Sequence, residues 1–181
     1  MPVAQQFASG SAEALVMDEE WMASACLGGV LPAAVTSSLQ RAALMYQRGE
    51  DAEPVLLDVY REARHHPAVH IALYRFYFYR HRIAEALQVA ERCLLKVAND
   101  LHLPSDWREV QPHQASFGTF DDVVPRFYLY TLKACAYLNM RLGRLDIGGA
   151  MLQQLRQLDP KDRLGGSVLQ DVLARIGVDD E

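Results

Sequence analysis

The sequence predicts an all-α fold: about three helical hairpins, a capping helix at each end, and one long inserted loop. Three observations lead there. A helical phrase from Leu73 to Leu87, continued by Val89, Ala90, Cys93 and Leu94, returns from Leu132 to Asp146 and continues through Leu152 and Leu155 to Pro160. The turns follow a repeat. Gly49, His81 and Gly143 are 32 and 62 residues apart, the spacing of one unit of ~34 residues and then one unit plus an insertion of roughly 28. Gly28-Gly29, Gly49, Pro67 and Gly143, finally, fall between apolar segments of helical period.

Each element has its own warrant. Met1 to Gly10 lacks apolar periodicity and reads as a flexible terminus. Ser11 is placed to cap a short helix carrying Leu15, Trp21, Met22 and Cys26, ended by Gly28-Gly29. Val35–Gln47 sets Leu39, Ala42, Ala43 and Tyr46 on one face, and Gly49 supplies a left-handed stop. The next helix starts at Asp51, turns Val55, Leu56, Val59, Tyr60 and Ala63 inward, and finishes before Pro67. Val69–Tyr79 and Ile83 to about Val97 follow, joined by Arg80-His81-Arg82, a turn short enough to make them antiparallel neighbours. Residues 99–124 hold Pro104, Pro112 and Gly118 and predict an inserted loop. Helices from Pro125 to Leu142 and Leu145 to Leu158 meet at Gly143. A last helix runs from Ser167 as N-cap to Ile176, with Gly177 as its stop and an acidic tail at 178–181. Residues 11–177 therefore read as one helical repeat domain.

Composition narrows the function. Half of the 181 residues are hydrophobic, 23% are charged, and the formal charge is −5. That balance suits a globular chain and gives no electrostatic case for nucleic acid, which needs a basic stripe. No apolar stretch reaches membrane-span length and no secretory leader is evident, so a cytoplasmic location away from membranes is expected. Cys26, Cys93 and Cys135 are far apart in apolar surroundings and read as buried reduced thiols. There is no phosphate loop, nucleophile elbow or metalloprotease motif, so the expectation is a non-catalytic protein without cofactor. His65, His66 and His70 lie close in sequence, but Pro67 interrupts the helix that would align two imidazoles, and no carboxylate or cysteine completes a metal set.

The repeated phrase resembles the tetratricopeptide repeat family. The matching positions are Leu73, Tyr77, Ala86, Ala90, Cys93 and Leu94 in the central unit, and Leu132, Cys135, Ala136, Gly143, Leu152, Leu155 and Pro160 in the later one. The pattern is degenerate: His81 stands at a turn glycine, and Gly148 and Pro54 at second-helix alanines. The basic two-carboxylate clamp of chaperone-binding repeats has no convincing counterpart. More narrowly, Phe76 to Arg82, Leu103 to Trp107 and Pro125 to Tyr130 resemble the nitrogenase-associated factor T family of small repeat proteins. That resemblance implies an accessory factor whose partner is the molybdenum-iron protein of nitrogenase, recognised during cofactor insertion, maturation or repair. Without it, the same helical pattern is equally that of a general adaptor for a peptide or protein unrelated to nitrogenase.

The candidate partner-binding residues follow from the aromatic and arginine pattern. Five aromatics lie between Tyr74 and Tyr79 and cannot all point inward; Tyr74, Tyr77 and Phe78 suit the core, leaving Phe76 or Tyr79 for a groove. Trp107, Phe117 and Phe120 sit among polar loop residues, either folded back onto the helices or offered as anchors to a partner. Arg75, Arg80 and Arg82 with Tyr79 form the accompanying charged and aromatic surface, since guanidinium groups pair with carboxylates and stack on rings.

Overall fold

The computed structural model describes residues 31–119 and 122–178. They form seven α-helices and no strand: α1 (Ala33–Gln47), α2 (Glu53–Ala63), α3 (Pro67–Tyr79), α4 (Ile83–Asp100), α5 (Val123–Arg141), α6 (Leu145–Leu158) and α7 (Gly166–Val178), with a 3-10 turn at Trp107–Glu109. The all-α expectation holds. The flexible terminus, the capping helix with Trp21, Met22 and Cys26, the loop residue Phe120 and residues 179–181 of the tail lie outside the described residues.

Two compact units divide these residues, 31–93 and 94–178, with the boundary inside α4. In the first, α2 packs against both α1 and α3. Val35, Val59 and Val69 form the centre of one cluster, with Leu31, Leu39, Tyr60 and Ala63 around it. Local chemistry sets the helix ends. Gly49 (φ +73°) takes the left-handed position that stops α1. Asp51 does not start α2; its carboxylate accepts the Glu53 amide at 3.1 Å from just outside the helix. α3 begins two residues earlier than Val69, because proline fits the first helical position, whose N–H has no helical partner. His66 caps it, Nδ1 accepting the Ala68 amide at 3.2 Å. The α3–α4 turn places His81 at φ +58°, the left-handed conformation that Gly49 takes after α1.

In the second unit α5 is the centre. Phe127–Leu129 and every residue from Thr131 to Met140 are buried, so this helix is enclosed all round, not along one stripe. Of its buried polar groups, Thr131 Oγ1 donates to the Phe127 carbonyl at 2.8 Å and Asn139 Nδ2 to that of Cys135 at 2.9 Å, whereas Lys133 Nζ reaches across to donate to the Leu164 carbonyl. α6 packs against α5, α7 and the 3-10 turn. The final helix differs from expectation at both ends. Ser167 is not its cap; the Asp162 carboxylate accepts the Ser167 amide at 3.1 Å and its hydroxyl, leaving Gly166 as the first helical residue. Nor does Gly177 stop it, since α7 runs to Val178.

Gly143 (φ +75°) links α5 to α6, and a Cβ there would meet no atom within 4 Å. Any cost of a side chain is therefore conformational. Gly143→Val is expected to destabilise the protein by about 1–2 kcal/mol, read as a lower melting temperature by circular dichroism. An unchanged melting temperature would contradict the assigned backbone geometry.

Candidate functional site

The face of α1 that carries Leu39, Ala42, Ala43 and Tyr46 is only partly covered. Leu39, Ala42, Ala43, Tyr46 and Gln47 form one wall of a groove of about 300 Å³, and Ala72, Arg75, Phe76 and Tyr79 of α3 form the other. Leu56 of α2 completes the lining. Leu56, Ala42 and Phe76 are buried and make an apolar floor, whereas Tyr46 and Tyr79 are 38% and 42% exposed. A helical period reports which face is apolar, not whether another element covers it.

Aromatic rings and guanidinium groups alternate along the groove. The Tyr46 and Phe76 rings meet edge to face with centroids 6.1 Å apart. The Arg80 guanidinium lies over both, 5.4 Å from the Tyr46 centroid and 5.6 Å from that of Phe76. Arg75 lies 5.8 Å over Tyr79. Of the aromatic run, Tyr74 and Tyr77 are buried as expected, but Phe78 is half-buried, stacked on Tyr74 at 5.8 Å. Both Phe76 and Tyr79 reach the groove.

Arg82 has another occupation. Its guanidinium pairs with Glu53 at the start of α2, donates to Glu85 at 2.9 Å and lies 4.6 Å over the Tyr77 ring. Tyr77 also donates its hydroxyl to Glu53 at 2.9 Å. This network ties the first turn of α2 to the end of α3, fixing the elements that line the groove. Sequence reading missed Glu53, because a pairing across 29 residues leaves no local signal.

The network has an electrostatic consequence. Hydrogen bonds from Arg82 are the main cause holding the carboxyls of both Glu53 and Glu85 below the usual carboxylate range. Burial, then the Glu53 hydrogen bond, pushes the Tyr77 hydroxyl up to about 12. Both glutamates have folded pKa values below their unfolded ones, so their stabilisation is complete above the ordinary glutamate value of ~4.3. It is lost as pH falls through the lowered folded values. Glu53→Gln should therefore lower stability at pH 7 and flatten its fall below pH ~4. Parallel acid limbs for variant and parent in urea unfolding at several pH values would disprove the linkage.

The loop residues are placed differently. Phe117 is 4% exposed, its ring 5.8 Å from that of Tyr128, so of the two alternatives it takes the inward one. Trp107 is half-buried, with the Arg108 guanidinium 4.3 Å over its ring. The loop carries its own bonding: Asp106 accepts the Arg108 amide at 3.0 Å, and Val110 accepts from Gln154 Nε2 at 2.6 Å. Arg75, Tyr79 and Arg80 are thus brought together at the groove within one unit, while Trp107 and Phe117 belong to the other unit.

The histidines have structural partners. His70 Nε2 bonds the Arg64 carbonyl at 2.6 Å and its ring meets Tyr60 edge on; His65 Nε2 accepts from Arg64 Nε at 3.4 Å. Among the described residues no group of three or more His, Cys, Asp or Glu side chains could hold a metal. Cys93 and Cys135 are buried thiols, and no described helix is long and apolar enough to cross a membrane.

Against known proteins, the chain is 40% identical over 134 residues to a protein of Azotobacter chroococcum mcd 1 described as "Uncharacterized 19.8 kDa protein in nifW 5'region". The match covers 74% of this chain and 75% of the relative. The chain belongs to that protein's family. The relative's description points to a nitrogen-fixation gene neighbourhood. No family model matches the chain, and no solved structure matches it. A match of this breadth must include parts of both units, because neither unit alone is 134 residues long among those described.

Proposed function

We propose that this protein is a non-catalytic accessory factor of nitrogen fixation that binds the molybdenum-iron protein of nitrogenase during cofactor insertion, maturation or repair. The observation that carries the reading is the relative from the nifW 5′ region, taken with a half-open aromatic groove in this chain. On this reading α1 and α3 are the first helices of successive tetratricopeptide-like hairpins. Their facing sides receive the partner, and Tyr46, Tyr79, Arg75 and Arg80 supply the principal contacts. Trp107 adds a separate contact from the inserted loop. Tyrosine and arginine suit this task, because they bury large area at small entropic cost and offer polar ends to the partner.

The test is affinity capture of the tagged protein from nitrogen-fixing cells, with mass spectrometry of the eluate. Reproducible enrichment of the molybdenum-iron protein, lost with Tyr46→Ala/Tyr79→Ala, is expected. An eluate without nitrogenase but with another reproducible partner would overturn the assignment and favour a general adaptor.

A further inference from the structure

Lys133 stands in the middle of α5 and is only 5% exposed. An ammonium has three N–H donors. Among the described residues Lys133 makes one hydrogen bond, to the Leu164 carbonyl in the connection between α6 and α7. Gly165 lies over the same atom, since a Cβ there would fall 3.8 Å from Nζ. The carboxylates that act on the ammonium, Asp162 and Asp159, belong to this connection too. Both are bonded elsewhere: Asp159 accepts the Leu164 amide at 2.9 Å, and Asp162 accepts the amide and hydroxyl of Ser167. Burial pushes the Lys133 ammonium below the usual lysine range, and the two carboxylates offset only part of that.

The docked connection alone bears this cost. With Leu164 and Gly165 lifted away, water would reach the ammonium and complete its hydrogen bonds. Other features weaken the same seam. Asp162 (φ +50°) and Gly165 (φ +64°) are both left-handed, a conformation that aspartate adopts at a cost. A cavity of about 220 Å³ lies between Leu152, Leu155 and Arg156 of α6 and Ser167 and Gln170 of α7. The side-chain bonds that join these two helices there are long, from Arg156 to Gln170 at 3.4 Å and from Gln170 to the Leu152 carbonyl at 3.5 Å. Leu169 and Ile176 of α7 are buried, but Val168 is 46% exposed. The helices beneath are joined more firmly. α6 meets α5 closely at Gly148, and Gln154 ties α6 to the Val110 carbonyl at 2.6 Å.

We propose that residues 160–178, the connection and α7 together, form a detachable flap that swings off α5 and α6 as one piece while those two helices stay packed. The hinge is at Asp159 and Pro160, where α6 has ended. Opening bares Lys133 and the Leu152 and Leu155 side of α6. The flap is a conformational device separate from the groove, and it does not depend on nitrogenase as partner.

Hydrogen exchange of the full chain, read by mass spectrometry, tests it. The amides of residues 166–178 should exchange together and at least roughly tenfold faster than those of α5 and α6. Lys133→Met fills much of the same space without a charge. It should slow exchange in α7 roughly tenfold, and more than in α5 or α6. A second measurement needs no variant. The N-hydroxysuccinimide ester of acetic acid, which acylates free amines, should label Lys133 of the parent in urea below the unfolding transition, with the α5 and α6 amides still protected. The exposed Lys161 is the reference for an amine that is always accessible.

Exchange of α7 in step with α5 and α6 would overturn the inference. So would a Lys133 that stays unlabelled until the whole chain unfolds. Faster exchange of α7 in Lys133→Met would do the same, because the ammonium would then be what holds the flap down. If Lys133→Met fails to fold, the exchange and labelling of the parent decide the matter.

Discussion

Gly148→Val should destabilise the protein by about 3 kcal/mol. A Cβ at Gly148 would lie 2.6 Å from Met140 Cγ and 3.0 Å from the Ala136 carbonyl oxygen. Met140 and Ala136 are themselves fully buried, so neither has open space to yield into. The absence of a side chain is what lets α6 approach α5 this closely. Alanine should be the milder change, because its helix propensity returns about 1 kcal/mol against the overlap. Gly118→Ala is the control: nothing lies within 4 Å of the added carbon, and stability should stay within about 0.5 kcal/mol. Urea unfolding followed by circular dichroism measures all three. A Gly148→Val midpoint equal to that of Gly118→Ala would mean that the two helices are not in contact at this glycine.

Phe117→Ala should have the next largest effect on stability, about 3 kcal/mol, despite changing a residue in an inserted loop. The ring is buried against Tyr128 of α5, itself fully enclosed, so truncation opens a cavity where the loop joins the interior. Trp107→Ala should cost less, because the indole is only half-buried and part of its contact is with the exposed Arg108. The same unfolding experiment ranks them. If Trp107→Ala were the more damaging, the loop would be held by its tryptophan and Phe117 would be dispensable to the fold.

The helices were legible in the sequence because their signals are local. Gly49 and Gly143 mark left-handed stops, and Leu145–Leu158 falls where the periodicity puts it, whereas Pro67, read as the end of one helix, also opens the next. Gly148 was visible as a departure from the repeat at a second-helix alanine; what was not visible is that the space it leaves is already filled by Met140. Phe117 shows the limit in loops, where no period distinguishes a ring turned inward from one turned outward.

At the candidate site the pattern was half legible. Leu39, Ala42, Ala43 and Tyr46 were recognisable as one face, but their exposure depends on the placement of α3, which adjacency along the chain does not encode. Arg75, Tyr79 and Arg80 come to the groove together because the last turns of α3 carry them. Arg82, two residues past Arg80, is drawn to Glu53 and Glu85 instead. Four neighbouring residues thus divide between a binding surface and a structural tie, and only the position of α2 decides which is which.

The most direct test of the central claim is titration of purified nitrogenase molybdenum-iron protein with this protein and with its Tyr46→Ala/Tyr79→Ala/Arg80→Ala variant, after circular dichroism has shown equal helicity. The account predicts saturable binding by the parent and a loss of roughly a hundredfold in the variant. Equal affinity of the two would contradict the groove as the binding surface, and no binding by either would contradict the assignment of nitrogenase as partner.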